Sequence, residues 1–203
     1  MSLFYTAAYW IGFKPWELMA TLPIRDQLSA LFNRDEDGRM QPFGRALDLG
    51  CGTGIWSVKL AARGWQVTGV EIVGSALLAA LERARNASVE VQLIHGDITA
   101  LRAAGIDGGF RFVLDLGAIH GLNDKKRAAV GREVSAVAAA DATILMLAWA
   151  PARRGPLPRG ASRGDIEGVF PGWTVIDEEA CNLAGAPRFI RKADPRFYRL
   201  RRN

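Results

Sequence analysis

Between Arg45 and Trp149 the apolar residues fall into short blocks whose spacing switches repeatedly between the strand and helix periods. "RALDLG" (Arg45–Gly50) is a short apolar run holding one acid, the pattern of a buried strand, and Ile55–Arg63 takes up helical spacing after a glycine turn. "WQVTGVEI" (Trp65–Ile72) is β-branched and runs into a glutamate. Ser75 is placed to cap a following helix in which Leu77, Leu78, Leu81 and Ala84 recur at helical intervals. "VEVQLIH" (Val89–His95) alternates and stops at Gly96, and "FRFVLDLG" (Phe110–Gly117) is a fourth strand. Asn123 can cap the next helix, with Val130, Val134 and Val137 on one face, before "TILMLAW" (Thr143–Trp149), apolar enough to lie inside a sheet covered on both sides.

Strands alternating with helices predict a doubly wound, mostly parallel α/β sheet. The ends depart from that rhythm. Residues 1–44 read as helical and aromatic-rich, with Phe4, Tyr5, Tyr9, Trp10, Phe13 and Trp16. "PARRGPLPRG" (Pro151–Gly160) is a loop, Ser162 and Asp165 match a capping box, and "WTVIDEEA" with "RFYRLRR" reads as a closing antiparallel hairpin.

The chain has 203 residues, 49% apolar and 23% charged, which suits one domain over 1–203 with a full core. The apolar run Leu3–Phe13 is too short to span a bilayer and lacks a basic segment before it. Cys51 and Cys181 make no disulfide framework, and His95 and His120 complete no zinc spacing, so a reducing cytoplasm and no metal are expected. The net charge of +5 is modest, although arginines crowd the C-terminal segment and the loop after the fifth strand.

The chemistry gathers around "LDLGCGTG" (Leu47–Gly54), where Gly50, Gly52 and Gly54 alternate. A dinucleotide turn favours G-x-G-x-x-G, and a phosphate loop carries lysine and a hydroxyl residue after its last glycine, where this chain has Ile55 and Trp56. Glu71 follows Gly54 by seventeen residues and ends the second strand, where a carboxylate can accept both hydroxyls of a ribose. Asp97 ends the third strand and could accept from an adenine amino group; Asp48 precedes the glycine loop. Taken singly these are a tight turn, a solvated strand end and a helix cap. Taken together they describe a pocket for a sugar, a base and a positively charged tail.

"LDLGCGTG", "VTGVEI" and "HGDI", in this order and spacing, resemble the class I S-adenosylmethionine-dependent methyltransferases over roughly Arg45–Trp149. The resemblance implies a Rossmann-like seven-stranded sheet over 45–203 and S-adenosylmethionine as cofactor; the helical segment 1–44 reads as a lid over that cofactor, or else its aromatics pack as a stripe against the sheet. It implies that Gly50, Gly52 and Gly54 pass under the methionine part, Glu71 binds the ribose and Asp97 the adenine. It also sets Trp16, Asp48, Cys51, Ile72, Ile98 and Asp115 beside the cofactor, with Cys51 as a small packed residue rather than a nucleophile. "LDLGAIHGLND" and "GFKPWE" resemble the thiopurine methyltransferase-like subgroup, with Leu116 and Glu17 departing from its pattern. That subgroup implies a small aromatic or heterocyclic acceptor with a thiol, hydroxyl or ring nitrogen.

Methyl transfer from a sulfonium needs chiefly alignment, and a base only where the acceptor must lose a proton. His120 is the residue placed for that task, or else it only shapes the pocket. The rival expectations are a nucleic-acid methyltransferase using the basic clusters, and a fold that binds the cofactor without turning it over.

Overall fold

The computed structural model describes residues 23–153, 155 and 157–203. The β-branched and aromatic blocks form strands buried on both faces, and the stretches between them form the helices that cover those faces. The order is α1 (Ile24–Glu36), β1 (Gly44–Leu49), α2 (Ile55–Arg63), β2 (Trp65–Glu71), α3 (Gly74–Asn86), β3 (Val91–His95), β4 (Phe110–Asp115), α4 (Asp124–Val137), β5 (Ala138–Ala148), α5 (Arg163–Val169), β6 (Trp173–Ala180), α6 (Arg188–Lys192) and β7 (Arg196–Arg202). They build one sheet of order β3-β2-β1-β4-β5-β7-β6. Strands β1 to β5 pair in parallel, and β7 runs antiparallel to both of its neighbours. This is the expected Rossmann-like sheet, with β7 inserted inside and β6 forming the edge.

Alternate residues of the central strands feed two cores. Leu47, Leu49, Val113, Ile144 and Met146 pack with Val130, Val134 and Val137 of α4 on one face. Ala46, Phe112, Leu114, Leu145 and Leu147 pack with α1 and α2 on the other, against Leu28, Leu31, Phe32, Trp56 and Leu60. Two predicted caps form: Asn123 accepts the Lys126 N–H, and Ser162 with Asp165 completes its capping box.

Two expectations are corrected. Residues 24–36 are a core layer, not part of a lid. Ile24, Leu28, Leu31 and Phe32 are buried, Gln27 donates to the Ala180 carbonyl at 2.9 Å, and Glu36 accepts from the Trp65 indole at 2.9 Å. Residues 1–22, with Trp16 and the other lid aromatics, lie outside the described residues. In α3, Ser75 lies inside the helix, whose N-cap is Val73, and Leu78 and Leu81 are exposed while Ala76, Ala80 and Ala84 are buried. The reason is proximity: a Cβ on Gly54 would sit 2.8 Å from the Cβ of Ala80, so only small residues fit beneath the glycine loop. Among the described residues, no helix is long and apolar enough to cross a membrane.

Helix α4 meets α5 at a similar close approach. A Cβ on Gly131 would lie 1.8 Å from the Val169 carbonyl oxygen, a backbone atom that can yield only if the helices separate. Helix propensity alone makes alanine better than glycine by about 1 kcal/mol, while overpacking costs roughly 1–3 kcal/mol or more. Overlap with backbone puts this site at the upper end, so Gly131→Ala is expected to destabilise by ~2 kcal/mol, lowering Tm by about 4–8 °C. Thermal unfolding measures it, and a Tm at or above the wild-type value would refute the packing account.

Candidate active site

All the predicted site residues among the described ones gather along one edge of the sheet, at the carboxyl ends of the parallel strands, where an open α/β sheet binds its ligands. Gly50, Gly52 and Gly54 all have positive φ, of 66°, 55° and 74°, the left-handed backbone that favours glycine, so the tight loop between β1 and α2 is built on residues without side chains. A Cβ on Gly50 would meet the Ala118 Cβ at 3.1 Å, which brings the turn after β4 directly against the glycine loop.

Glu71 holds this edge together. Its Oε2 accepts the Gly52 N–H at 3.0 Å, and its Oε1 accepts the N–H groups of Ile72 and Val73, each at 2.9 Å. One buried carboxylate thereby joins the glycine loop to the turn leaving β2. A carboxylate has about four lone-pair sites; three are used here, which leaves room for one further hydroxyl donor rather than two. Burial raises the Glu71 pKa, and the three backbone donors oppose that rise. The Ile72 side chain stands exposed beside it, and the His95 Nε2 lies 2.9 Å from the Ile72 carbonyl.

Two more carboxylates are buried along the same edge. Asp48 accepts from the Ser57 hydroxyl at 2.5 Å; burial, with the charges of Asp115 and Glu71 adding to it, pushes its pKa up to about 7. Asp115 accepts from the backbone of Gly117 and Ala118 at 2.9 and 2.6 Å and of Ile119 at 3.1 Å, and burial raises its pKa to about 6. Asp97 accepts the Thr99 N–H and hydroxyl on Oδ1, at 2.9 and 2.8 Å, while its Oδ2 has no partner among the described residues. It is a cap with one oxygen to spare. Ile98 packs partly buried behind it.

Cys51 is buried, and burial pushes its thiol pKa above the usual range, so it is not an ionised nucleophile. Its sulfur lies 2.9 Å from where a Gly69 Cβ would stand.

His120 sits in a 3₁₀ turn after β4, buried, with its ring edge-on to Trp149 at 5.5 Å between centroids. The Trp149 N–H donates to Nδ1 at 3.0 Å. Turning the ring over would set a C–H against that N–H, so the bond fixes the orientation, and a neutral ring carries its hydrogen on Nε2. Arg127, also buried, donates to the carbonyls of His120 and Gly160 and so ties together the loops after β4 and β5. Ser57, Arg127 and Trp149 are site residues that motif reading does not single out.

Because Glu71 satisfies three backbone donors, removing it should damage the protein without any ligand. Glu71→Ala is expected to lower apo stability by ~2 kcal/mol or more, the scale of losing one or two charge-assisted hydrogen bonds. Chemical denaturation of the ligand-free protein checks this; unchanged stability would mean the loop stands without Glu71.

Residues 46–141 match a family model described as a methyltransferase domain. The N-methyltransferase NodS from Bradyrhizobium japonicum WM9, in complex with S-adenosyl-L-homocysteine, superposes with a TM-score of 0.73 at 17% identity, over 91% of this chain and 90% of that one. Magnesium protoporphyrin IX methyltransferase (ChlM) from Synechocystis PCC 6803, with bound SAM, gives 0.68 at 19% identity, over 88% and 77%. Among curated proteins, a ribosomal RNA small subunit methyltransferase C from Alcanivorax borkumensis is 36% identical over 74 residues. That match spans 36% of this chain and 23% of the relative. Residues 46–141, just under half of the chain, are thus similar to a methyltransferase domain, on a Rossmann-like sheet whose fold NodS and ChlM share.

Proposed function

We propose that this protein transfers the methyl group of S-adenosylmethionine to a small, planar acceptor bearing a thiol, hydroxyl or ring nitrogen. The observation that carries the cofactor part is the buried acid set. Asp48 and Asp115 rest at pKa values of about 7 and about 6 because burial denies them water, and Asp48 faces a serine and two further carboxylates. A ligand bearing a sulfonium and an ammonium would relieve that arrangement. Glu71, with one acceptor position remaining, suits a ribose hydroxyl, and the spare oxygen of Asp97 suits an exocyclic amino group.

The pair formed by buried His120 and half-buried Trp149 supports a small, flat acceptor, since it puts an aromatic wall where the loops after β4 and β5 meet. The nucleic-acid rival loses much of its basic surface to internal pairing. Arg196 bonds Glu178, Arg199 bonds Asp35, Arg159 bonds Asp124 and Arg163 bonds Glu167. Two of the structural relatives, NodS and ChlM, are matched over most of their length, whereas the ribosomal RNA enzyme is matched over under a quarter. The thiopurine methyltransferase-like subgroup suggested by "LDLGAIHGLND" stays within this reading as its narrower form.

In this reading His120 is a positioning residue. The Trp149 N–H occupies Nδ1, which supports the pocket-shaping alternative over the general base, the two roles the sequence leaves open for His120. The acceptor then reacts in whatever ionisation state it has at working pH, aligned with the methyl group.

Three measurements test these statements. Methyl-labelled S-adenosylmethionine offered with planar thiols, phenols, nitrogen heterocycles and a ribosomal RNA fragment should label small molecules; label on the RNA alone would reverse the assignment. Second, the acids ionise as pH rises through about 6 and 7, and a cationic ligand favours their ionised forms. Affinity for S-adenosylmethionine relative to uncharged-sulfur S-adenosylhomocysteine should therefore climb about tenfold from pH 5.5 to 8, on the order of 1–2 kcal/mol for unit charges several ångströms apart. Asp48→Asn should flatten that climb in calorimetry, and a ratio independent of pH would remove the sulfonium from the acids. Third, His120→Gln should raise the acceptor KM by about tenfold while keeping kcat within about threefold, on the order of the 1.4 kcal/mol that one hydrogen bond supplies. Any acidic limb should follow the acceptor's own pKa, shifting between phenol and thiol. A limb that stays constant across acceptors and vanishes in the variant would restore the base.

A further inference from the structure

At the opposite edge of the sheet, where α1 ends and β5 begins, lies a cavity of about 320 Å³ lined by Arg34, Arg39, Arg199, Arg201 and Arg202. From Thr143, which lines it, to Trp149 at the other edge the chain advances six strand residues, roughly 20 Å. The two sites do not overlap.

Three aspartates, Asp35, Asp37 and Asp141, also line the cavity, and the pairing decides its net charge. Arg199 and the Thr143 hydroxyl satisfy Asp35; Arg34 is drawn off to Asp177 and Glu179; Arg111 pairs Asp141. Arg202 donates to the Ala138 carbonyl and meets no carboxylate. Arg201 has no side-chain partner among the described residues, and the Nη1 of Arg39 is buried with no hydrogen-bond partner. The lining itself holds five arginines and three aspartates, an excess of two positive charges, and Arg39, Arg201 and Arg202 are its guanidinium groups without a carboxylate partner among the described residues. A guanidinium fork matches the oxygens of a phosphate.

We propose that this cavity binds the phosphate dianion of a small phosphate monoester, with Arg39 and Arg201 as its principal donors. The charge excess equals that of the dianion at neutral pH. The volume is at the low end for small-molecule pockets, enough for a phosphate on a body the size of one sugar. Asp37 and Asp141 share the lining with the arginines, which disfavours an extended nucleic-acid backbone.

The test is calorimetry of the full chain with inorganic phosphate at constant ionic strength and pH 7.5. Saturable one-site binding is expected, weakened at least tenfold by Arg201→Gln and by Arg39→Gln, and unchanged by Arg188→Gln, an exposed arginine outside the cavity. Because Arg201 is exposed, its variant should fold even if the Arg39 variant does not, and S-adenosylmethionine affinity should be the same in Arg201→Gln as in wild type. Absence of saturation, or equal phosphate affinity in Arg201→Gln, would overturn the proposal. So would a single-stranded RNA oligonucleotide that binds and depends on Arg201 where phosphate does not bind. Phosphate binding or its absence leaves the methyltransferase reading untouched, and Arg201-dependent RNA binding would bear only on its acceptor.

Discussion

A carboxylate removed from water must find its hydrogen bonds inside the protein, and Glu71 finds all of its described ones on backbone N–H groups from two different loops. Those bonds fix where the glycine loop stands relative to the end of β2. The loop's position in turn sets the approach of Ala80 beneath it and of Ala118 beside it, so α3 and the turn after β4 are registered against the same few backbone atoms. The acid at this strand end is thus a structural latch before it is a ligand group. Ligand recognition by Glu71 draws only on the acceptor capacity that the latch leaves over.

Electrostatics at this edge runs against local stability. Asp48 and Asp115 are costlier to ionise in the folded chain than in water, and for Asp48 the charge of Asp115 adds to the effect of burial. Sites built this way are stabilised by what they bind. At the other end of the sheet the sign reverses: arginine exceeds the acids it pairs with, around the buried Asp35. One sheet therefore carries a cation-seeking edge and an anion-seeking edge, separated by the length of its strands.

The strand-helix alternation, the glycine loop and the acids at the strand ends were legible because each rests on a local rule: period, positive φ, or an acid after an apolar run. Asn123 and the Ser162–Asp165 box were legible for the same reason. What the pattern missed depends on partners distant in sequence. The leucines of α3 look like its buried stripe, but the space under Gly54 admits only the alanines. The α1 segment reads only as part of the helical stretch 1–44, and its place in the core appears when Asp35 is seen bonded to Arg199, 164 residues away. His120 could be placed near the site, but the state of its ring is set by a backbone N–H 29 residues further on.

The place of β7 inside the sheet has a consequence for how the chain assembles. Its partner β5 is complete at Ala148, but the edge of β5 that faces β7 stays open until Arg196–Arg202 has been made. Until then Leu145 and Leu147 lack Phe197 and Asp35 lacks its guanidinium, so the nascent chain holds an unfilled core and an unpaired buried acid. Strand β6, which precedes β7 in sequence, cannot shield that edge, because it is joined to the sheet only through β7. Parallel pairing of β1 to β5 during synthesis would thus produce a sheet with one adhesive side, exposed to other chains and to chaperones for the time taken to add about fifty residues. Closure of the sheet therefore waits on Arg196–Arg202, the strand that joins β6 to the rest.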